Sequence, residues 1–221
     1  YYQLEDVIKG GYDREQPKEK ISLIHDALIM GLQDYFGKLG LKKAILGLSG
    51  GIDSAVTAVM ATRALGKENV RVVLMPSAYS SSHSVDDAKA LAENLGIHDD
   101  LIPIVAPYDA FNTLLTEVME GKPFDVTEEN IQARCRAIIL MAISNKHGNI
   151  LLNTTNKSEM SVGYGTLYGD LAGGLSVLAD IYKTDIYLLA DYINKDLEVI
   201  PANSINKPPS AELRPGQKDS D

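Results

Sequence analysis

LGLSGGIDSA at residues 46–55 decides how this chain folds. Apolar residues run into a glycine pair, and the helical spacing of Val56, Val59, Met60 and Ala64 begins directly behind it. The stretch therefore reads as strand, tight turn and helix. Gly50 and Gly51 let the backbone turn sharply and approach a ligand without Cβ atoms, while the following helix aims its first N–H groups and its positive dipole end at the loop. This is an anion cradle, with Gly47 at its entrance and the hydroxyls of Ser49 and Ser54 as further donors. Asp53 puts a carboxylate where a phosphate is to sit, which repels an anion unless a divalent cation lies between, so Asp53 predicts Mg²⁺ as well as phosphate. The loop has neither the lysine of G-x-x-x-x-G-K-[ST] nor the spacing of G-x-G-x-x-G. Five fixed positions at roughly 7% usage give about 4 × 10⁻⁴ chance matches over the chain. The competing reading is a plain βα turn in which Asp53 only complements the helix start.

Outward from the loop, short apolar runs alternate with helical periodicity. Ile21, Ile24, Leu28, Leu32, Tyr35 and Phe36 share one helical face that ends at Gly37 and Gly40, and AILGL at 44–48 is the first strand. VRVVLMP at 70–76 is the second strand. Ser84 and Asp87 carry a capping signature for a helix through Ala88, Leu91, Ala92 and Leu95. LIPIV at 101–105 is the third strand, a helical excursion is expected around Ala110–Met119, and a helix from about Glu129 to Lys146 buries Ile131, Cys135, Ile138, Ile139 and Ala142. NILLNTT at 149–155 is the fourth strand, and a last helix covers about 184–195. Apolar strands separated by helices predict an α/β, doubly wound, mostly parallel sheet with helices on both faces, and such sheets bind ligands at the carboxyl ends of their strands. SGGIDS, the serine-rich loop Ser77–Ser84 and the stretch after strand four become the candidate site. Ser77–Ser84 is a candidate lid, with His83 expected in solvent.

Composition narrows the class. Hydrophobic residues at 45% and charged residues at 23% match globular usage and exclude a disordered chain. With 21 Lys+Arg against 30 Asp+Glu, the net charge of −9 argues against nucleic-acid or anionic-membrane binding, so any phosphate site is built locally. No apolar run approaches the roughly 20 residues that cross a bilayer. The single cysteine, Cys135, excludes an intrachain disulfide and a cysteine zinc cage, and points to a reducing, cytoplasmic setting. The four histidines form no metal pattern. Residues 1–20 read as a linker or the tail of an upstream domain, 21–206 as the folded domain, and 207–221 as a polar segment cut short.

Several side chains are ambiguous by spacing alone. On the helix after residue 129, Arg134 borders the buried stripe and Arg136 turns toward solvent or a partner. Glu159 stands three residues after Asn156, which suits either a capping box or a second carboxylate near Asp53. Lys183 opens the last helix, where a cation opposes the dipole, so it is expected to meet a ligand.

SGGIDS resembles the PP-loop of the ATP pyrophosphatases, enzymes that adenylate a substrate and release pyrophosphate. Further stretches resemble one branch, the NAD synthetase family: MPSAYSSSHSVDDAKALAENLGI at 75–97, ENIQARCRAIILMAISNK at 129–146, ILLNTTNKSEMSVGYGTLYGDLAGG at 150–174, DIYKTDIY at 180–187 and KPPSAELRPGQKDSD at 207–221. The wording is nearest to the synthetase domain of the glutamine-dependent members. The resemblance implies a Rossmann-like fold of the adenine-nucleotide alpha-hydrolase type and ATP-dependent amidation of deamido-NAD through an adenylated intermediate. It puts ATP on Gly47, Ser49, Gly50, Gly51, Asp53, Ser54, Thr154, Lys183 and Ser210. It puts deamido-NAD on Asn130, Arg134, Glu159 and Tyr164, Mg²⁺ on Asp53 and Glu159, and catalysis on Asp53, Glu159 and Lys183. It also implies a homodimer, with the Arg134 helix as the candidate contact, and ammonia supplied directly or by an upstream nitrilase-like glutaminase domain. Leu167 and Gly174 stand where ammonia-only members carry a substrate-contacting lysine and aspartate, which favours the glutamine-dependent branch. Two alternatives stay open: another PP-loop amidotransferase such as a GMP synthetase, and a nucleotide-binding module without turnover.

Overall fold

The computed structural model describes residues 19–208, 210–214 and 217. Five strands and eight α-helices follow in chain order among them: α1 Lys20–Leu39, β1 Ala44–Gly47, α2 Ile52–Leu65, β2 Val70–Leu74, α3 Ser82–Leu95, β3 His98–Leu101, α4 Val105–Leu115, α5 Val126–His147, β4 Ile150–Asn153, α6 Lys157–Val162, β5 Leu175–Ser176, α7 Lys183–Ile193 and α8 Ala202–Asn206. All pairings are parallel and the spatial order is β3-β2-β1-β4-β5. β1 pairs on one side with β2, Ala44 opposite Val70, and on the other with β4, Ala44 opposite Ile150.

The strand period of two divides the core between the sheet faces. Ala44, Leu46, Val70, Val72, Leu74 and Leu152 face one way, into a core completed by Phe36 of α1, Val56 and Val59 of α2, Leu91 of α3 and Ile186 and Leu189 of α7. Ile45, Val73, Met75 and Leu151 face the other way, against Ile104, Cys135 and Leu140. Helices therefore cover both faces of an all-parallel sheet, the Rossmann-like arrangement. Because the sheet grows outward from β1 in both directions, the chain leaves β1 and β4 toward opposite faces and a crevice opens beyond their carboxyl ends.

Several boundaries differ from those read in the sequence. The third strand is the polar HDDL at 98–101, paired with Arg71–Leu74, and not LIPIV. An edge strand is packed from one side only, so it keeps Asp99 and Asp100, while Ile104 drops into the core as the residue before α4. α3 starts earlier: Ser81 is its cap, accepting the Ser84 N–H at 3.2 Å, and Ser84 is the third helical residue and 3% exposed. α1 runs through Gly37 and ends at Gly40, in left-handed conformation with φ 67°. α5 begins at Val126 behind an Asp125–Glu128 capping box, and its buried face is Gln132, Ala133, Cys135, Ala137, Leu140 and Ser144; Ile138 and Ala142 lie outside it. α7 stops at Ile193, and the short strand β5 and helix α8 carried no sequence signal. Residues 1–18, most of the expected linker, lie outside the described residues. No helix among the described residues is long and apolar enough to cross a membrane.

Candidate active site

Two loops meet at the crevice, one after β1 and one after β4. In the first, the Ser49 N–H donates to Ser54 Oγ at 3.2 Å, the Gly51 N–H donates to Ser49 Oγ at 3.2 Å, and Ser54 Oγ donates to the Gly51 carbonyl at 3.0 Å. These bonds hold the turn open around the start of α2. Gly50 has φ +79°, and a Cβ there would lie 2.2 Å from the Ser84 carbonyl oxygen, so the glycine is required both by conformation and by the backbone packed against it. Gly50→Ala is expected to cost about 2–5 kcal/mol, summing the left-handed penalty and the clash. Urea unfolding checks this, and a loss below ~1 kcal/mol contradicts the tight contact with Ser84.

The second loop brings a carboxylate to the first. Asn156 caps α6, and Glu159 completes the box: the Asn156 N–H donates to Glu159 Oε2 at 3.0 Å, and the Glu159 N–H donates to Asn156 Oδ1 at 3.0 Å. The Asn156 amide also donates from Nδ2 to Asp53 Oδ1 at 3.0 Å, joining the two loops. Asp53 Oδ2 takes an ion-paired hydrogen bond from Lys183 Nζ, and both side chains are largely buried. Glu159 thus caps a helix and also sits at the site. Burial first, and the neighbouring Asp53 second, push its carboxyl up to about 7, against the pull of the Asn156 N–H and Lys183. The adverse place of Lys183 at a helix start is explained by Asp53, which takes its charge. Thr154 follows β4 and is half-buried.

The remaining predicted contacts lie around this centre. Asn130 Oδ1 accepts the Thr166 hydroxyl at 2.6 Å, and the Thr166 N–H donates to Asp170 Oδ1 at 2.9 Å, which ties α5 to the glycine-rich loop after α6. Arg134 is exposed and donates from Nε to the Leu167 carbonyl at 3.3 Å. Tyr164 is 45% exposed, its N–H on the Glu159 carbonyl at 2.9 Å. His83 is exposed. Ser210 Oγ donates to the Gln217 carbonyl at 2.8 Å and accepts the Glu212 N–H at 3.2 Å. It is connected to the glycine turn through Glu212 and Ser84.

Arg136 corrects the sequence reading. It turns inward, donating from Nε to the Met75 carbonyl at 3.1 Å at the end of β2, with Glu212 and Asp170 as charged neighbours. Burial is the main cause that lowers its guanidinium to about 10. The expected apolar stripe was out of phase because the buried face of α5 contains Gln132 and Ser144, whose Nε2 and hydroxyl donate to the Leu213 and Asn149 carbonyls. Gln132 one turn before Arg136, with Ala133 and Ala137 beside them on the same face, was the one available signal. Asn156 was legible as a cap but not as the partner of Asp53.

The NAD synthase family model matches residues 24–221. The chain belongs to this family. It is 54% identical over 197 residues to the glutamine-dependent NAD(+) synthetase of Thermotoga maritima, covering 88% of this chain and 34% of that one. The chain thus spans about a third of the length of the curated relatives it matches. It superposes with a TM-score of 0.87 and 43% identity on the glutamine-dependent NAD⁺ synthetase of Acinetobacter baumannii, solved with ADP, over 91% of this chain and 39% of that one. It also matches the NMN synthetase of Francisella tularensis with a TM-score of 0.81 and 30% identity, over 92% and 81%.

Proposed function

We propose that this chain is the synthetase unit of an ATP-dependent ligase that converts deamido-NAD to NAD, with ammonia as the immediate nitrogen donor. The observation that carries the reading is the convergence of Asp53, Lys183 and Glu159 at the glycine turn, on a chain of the NAD synthase family. ATP occupies Gly47, Ser49, Gly50, Gly51, Ser54, Thr154, Lys183 and Ser210; deamido-NAD occupies Asn130, Arg134, Glu159 and Tyr164. The substrate carboxylate oxygen attacks the α-phosphorus, the bond to the β-phosphate bridge breaks and pyrophosphate leaves. Ammonia then adds to the acyl carbon and AMP departs, leaving the amide. No side chain is alkylated or acylated, so the protein's part is to position the two substrates in line and offset charge, with Lys183 and the N–H groups of the loop facing the phosphates.

The donor set suits Mg²⁺. Asp53 and Glu159 are hard oxygen donors close enough for one to raise the other's pKa, and among the described residues no group of three or more acidic, His or Cys side chains forms a cage of its own. A pair of carboxylates completed by phosphate oxygens and water is the usual magnesium arrangement. Bound there, Mg²⁺ supplies charge neutralisation on the triphosphate.

Incubation with Mg-ATP and ammonia, and in separate arms deamido-NAD, nicotinate mononucleotide and xanthosine monophosphate, tests the reading by AMP release. AMP is expected with deamido-NAD. Release with the mononucleotide alone moves the chain toward the NMN synthetases, xanthosine monophosphate toward the GMP synthetases, and release in no arm leaves a binding module. The proposal extends to a homodimer through α5, supported by an open apolar groove of about 750 Å³ lined by Leu41, Ile138, Met141, Ile150 and Tyr168. None of its lining residues belongs to the phosphate loop. Sedimentation is expected to show a dimer at micromolar concentration, and a monomer overturns that extension. A glutaminase domain supplying the ammonia is the corresponding proposal for the nitrogen source.

A further inference from the structure

At the rim of the site the segment after α8 crosses the loop after β2, and one carboxylate makes most of the crossing. Glu212 accepts three hydrogen bonds: from Ser84 Oγ at 2.6 Å and Ser81 Oγ at 3.1 Å on Oε1, and from the Ser81 N–H at 3.2 Å on Oε2. Lys207 Nζ donates to the same Ser84 hydroxyl at 3.0 Å. The backbone of Ser84 is the surface against which Gly50 of the phosphate loop lies. The Glu212 N–H is bound by Ser210 Oγ, the Leu213 carbonyl accepts Gln132 Nε2 at 2.8 Å, and Arg214 pairs with Glu129 at 3.6 Å. One short segment thus touches α3, α5 and, through Ser84, the glycine turn.

The backbone of Glu212 adds a second, independent observation. Its φ is +50°, a left-handed conformation that glycine adopts freely and other residues avoid. A glutamate held there needs compensation from its side chain, and strain of this kind gathers at working parts of a molecule. Only a carboxylate offers acceptors for three donors at once with no proton of its own to place. An amide keeps one acceptor oxygen and turns an NH₂ group toward Ser81 or Ser84.

We infer that Glu212 is a positioning residue for ATP: by clamping Ser81 and Ser84 to the segment carrying Ser210, it fixes the wall on which the phosphate loop rests. The inference rests on the ATP reading of that loop. It acts on affinity for the nucleotide and leaves the dinucleotide subsite around Asn130 and Arg134 in place.

The test is Glu212→Gln in the full 221-residue chain, with Mg-ATP affinity measured by calorimetry and both KM values by AMP release. ATP affinity is expected to fall about tenfold, with KM for ATP rising in step and KM for deamido-NAD moving less than about twofold. Ser84→Ala is expected to do the same, and the double variant to be no weaker than the worse single one, because both break one contact. Glu212→Gly relieves the left-handed backbone, so it is expected to hold or raise the melting temperature while binding ATP as weakly as the glutamine variant. A merely structural role cannot produce that split. ATP affinity within twofold of the parent in Glu212→Gln, equal losses for both substrates, or additive losses in the double variant overturn the inference. A parent chain that does not bind Mg-ATP overturns the reading of the phosphate loop and this inference with it, whereas a binding parent with unimpaired variants overturns the inference alone.

Discussion

Asp53→Asn is expected to lower AMP release from Mg-ATP, ammonia and deamido-NAD by about 10²–10³-fold or more, the scale on which removal of one preorganised charge-stabilising group acts. Two contacts converge on this carboxylate, Asn156 Nδ2 on Oδ1 and Lys183 Nζ on Oδ2, and its charge acts in turn on Glu159. Asparagine matches it in shape and can still accept from Asn156, but it carries no charge to hold Lys183 or a divalent cation. The fold also loses stability: the carboxylate at the start of α2 is worth about 0.3–1 kcal/mol, and Lys183, largely buried, loses its counter-charge, so a further loss of about 1–3 kcal/mol is expected. Activity and stability should still separate in scale: a lowered but cooperative unfolding transition, with the chain folded at assay temperature and turnover almost absent. The same substitution removes one of the causes that raise Glu159, so that carboxyl should titrate nearer its ordinary range in the variant. Activity within about threefold of the parent would remove Asp53 from the reaction centre and leave it a helix-start carboxylate.

How much of this centre was legible can be judged element by element. The glycine turn was, because Gly50 is demanded by a backbone angle and by an approach that no other residue survives, and such constraints are local. Strands buried on both faces were legible as continuous apolar runs. β3 was not, because an edge strand is packed from one side only and its residues, HDDL, resemble a loop. Arg136 was misplaced for the opposite reason: burial follows from what α5 packs against, and a backbone carbonyl at Met75 leaves no trace in the spacing of the helix. Glu159 was ambiguous in the sequence because the carboxylate that closes the α6 capping box is the same one that lies beside Asp53. Pairings over long separations, such as Asn156 with Asp53 or Glu212 with Ser84, are set by the strand order and lie beyond any local pattern.

Glu159→Gln is expected to raise the stability of the nucleotide-free chain at pH 8 while removing most of its activity. In the folded chain the carboxyl stands at about 7, against an ordinary 4.5 that describes it once unfolded. Between those values the unfolded state has released a proton that the folded state still holds, so stability falls as pH rises through that window, and the penalty is complete above about 7. Glutamine carries no such penalty and can still complete the capping box, since its Oε1 accepts the Asn156 N–H as the carboxylate oxygen does. Thermal unfolding should therefore give near-coincident curves for parent and variant at pH 4 and a gap of several degrees in favour of the variant at pH 8. Mg-ATP should narrow that gap by stabilising the parent more, because a ligand that binds only the folded state adds stability according to its affinity. A parent that tolerates a disfavoured carboxylate without ligand and is relieved by Mg-ATP is holding that charge for the nucleotide. A variant less stable than the parent at pH 8, with activity retained, would instead assign Glu159 to the α6 cap alone.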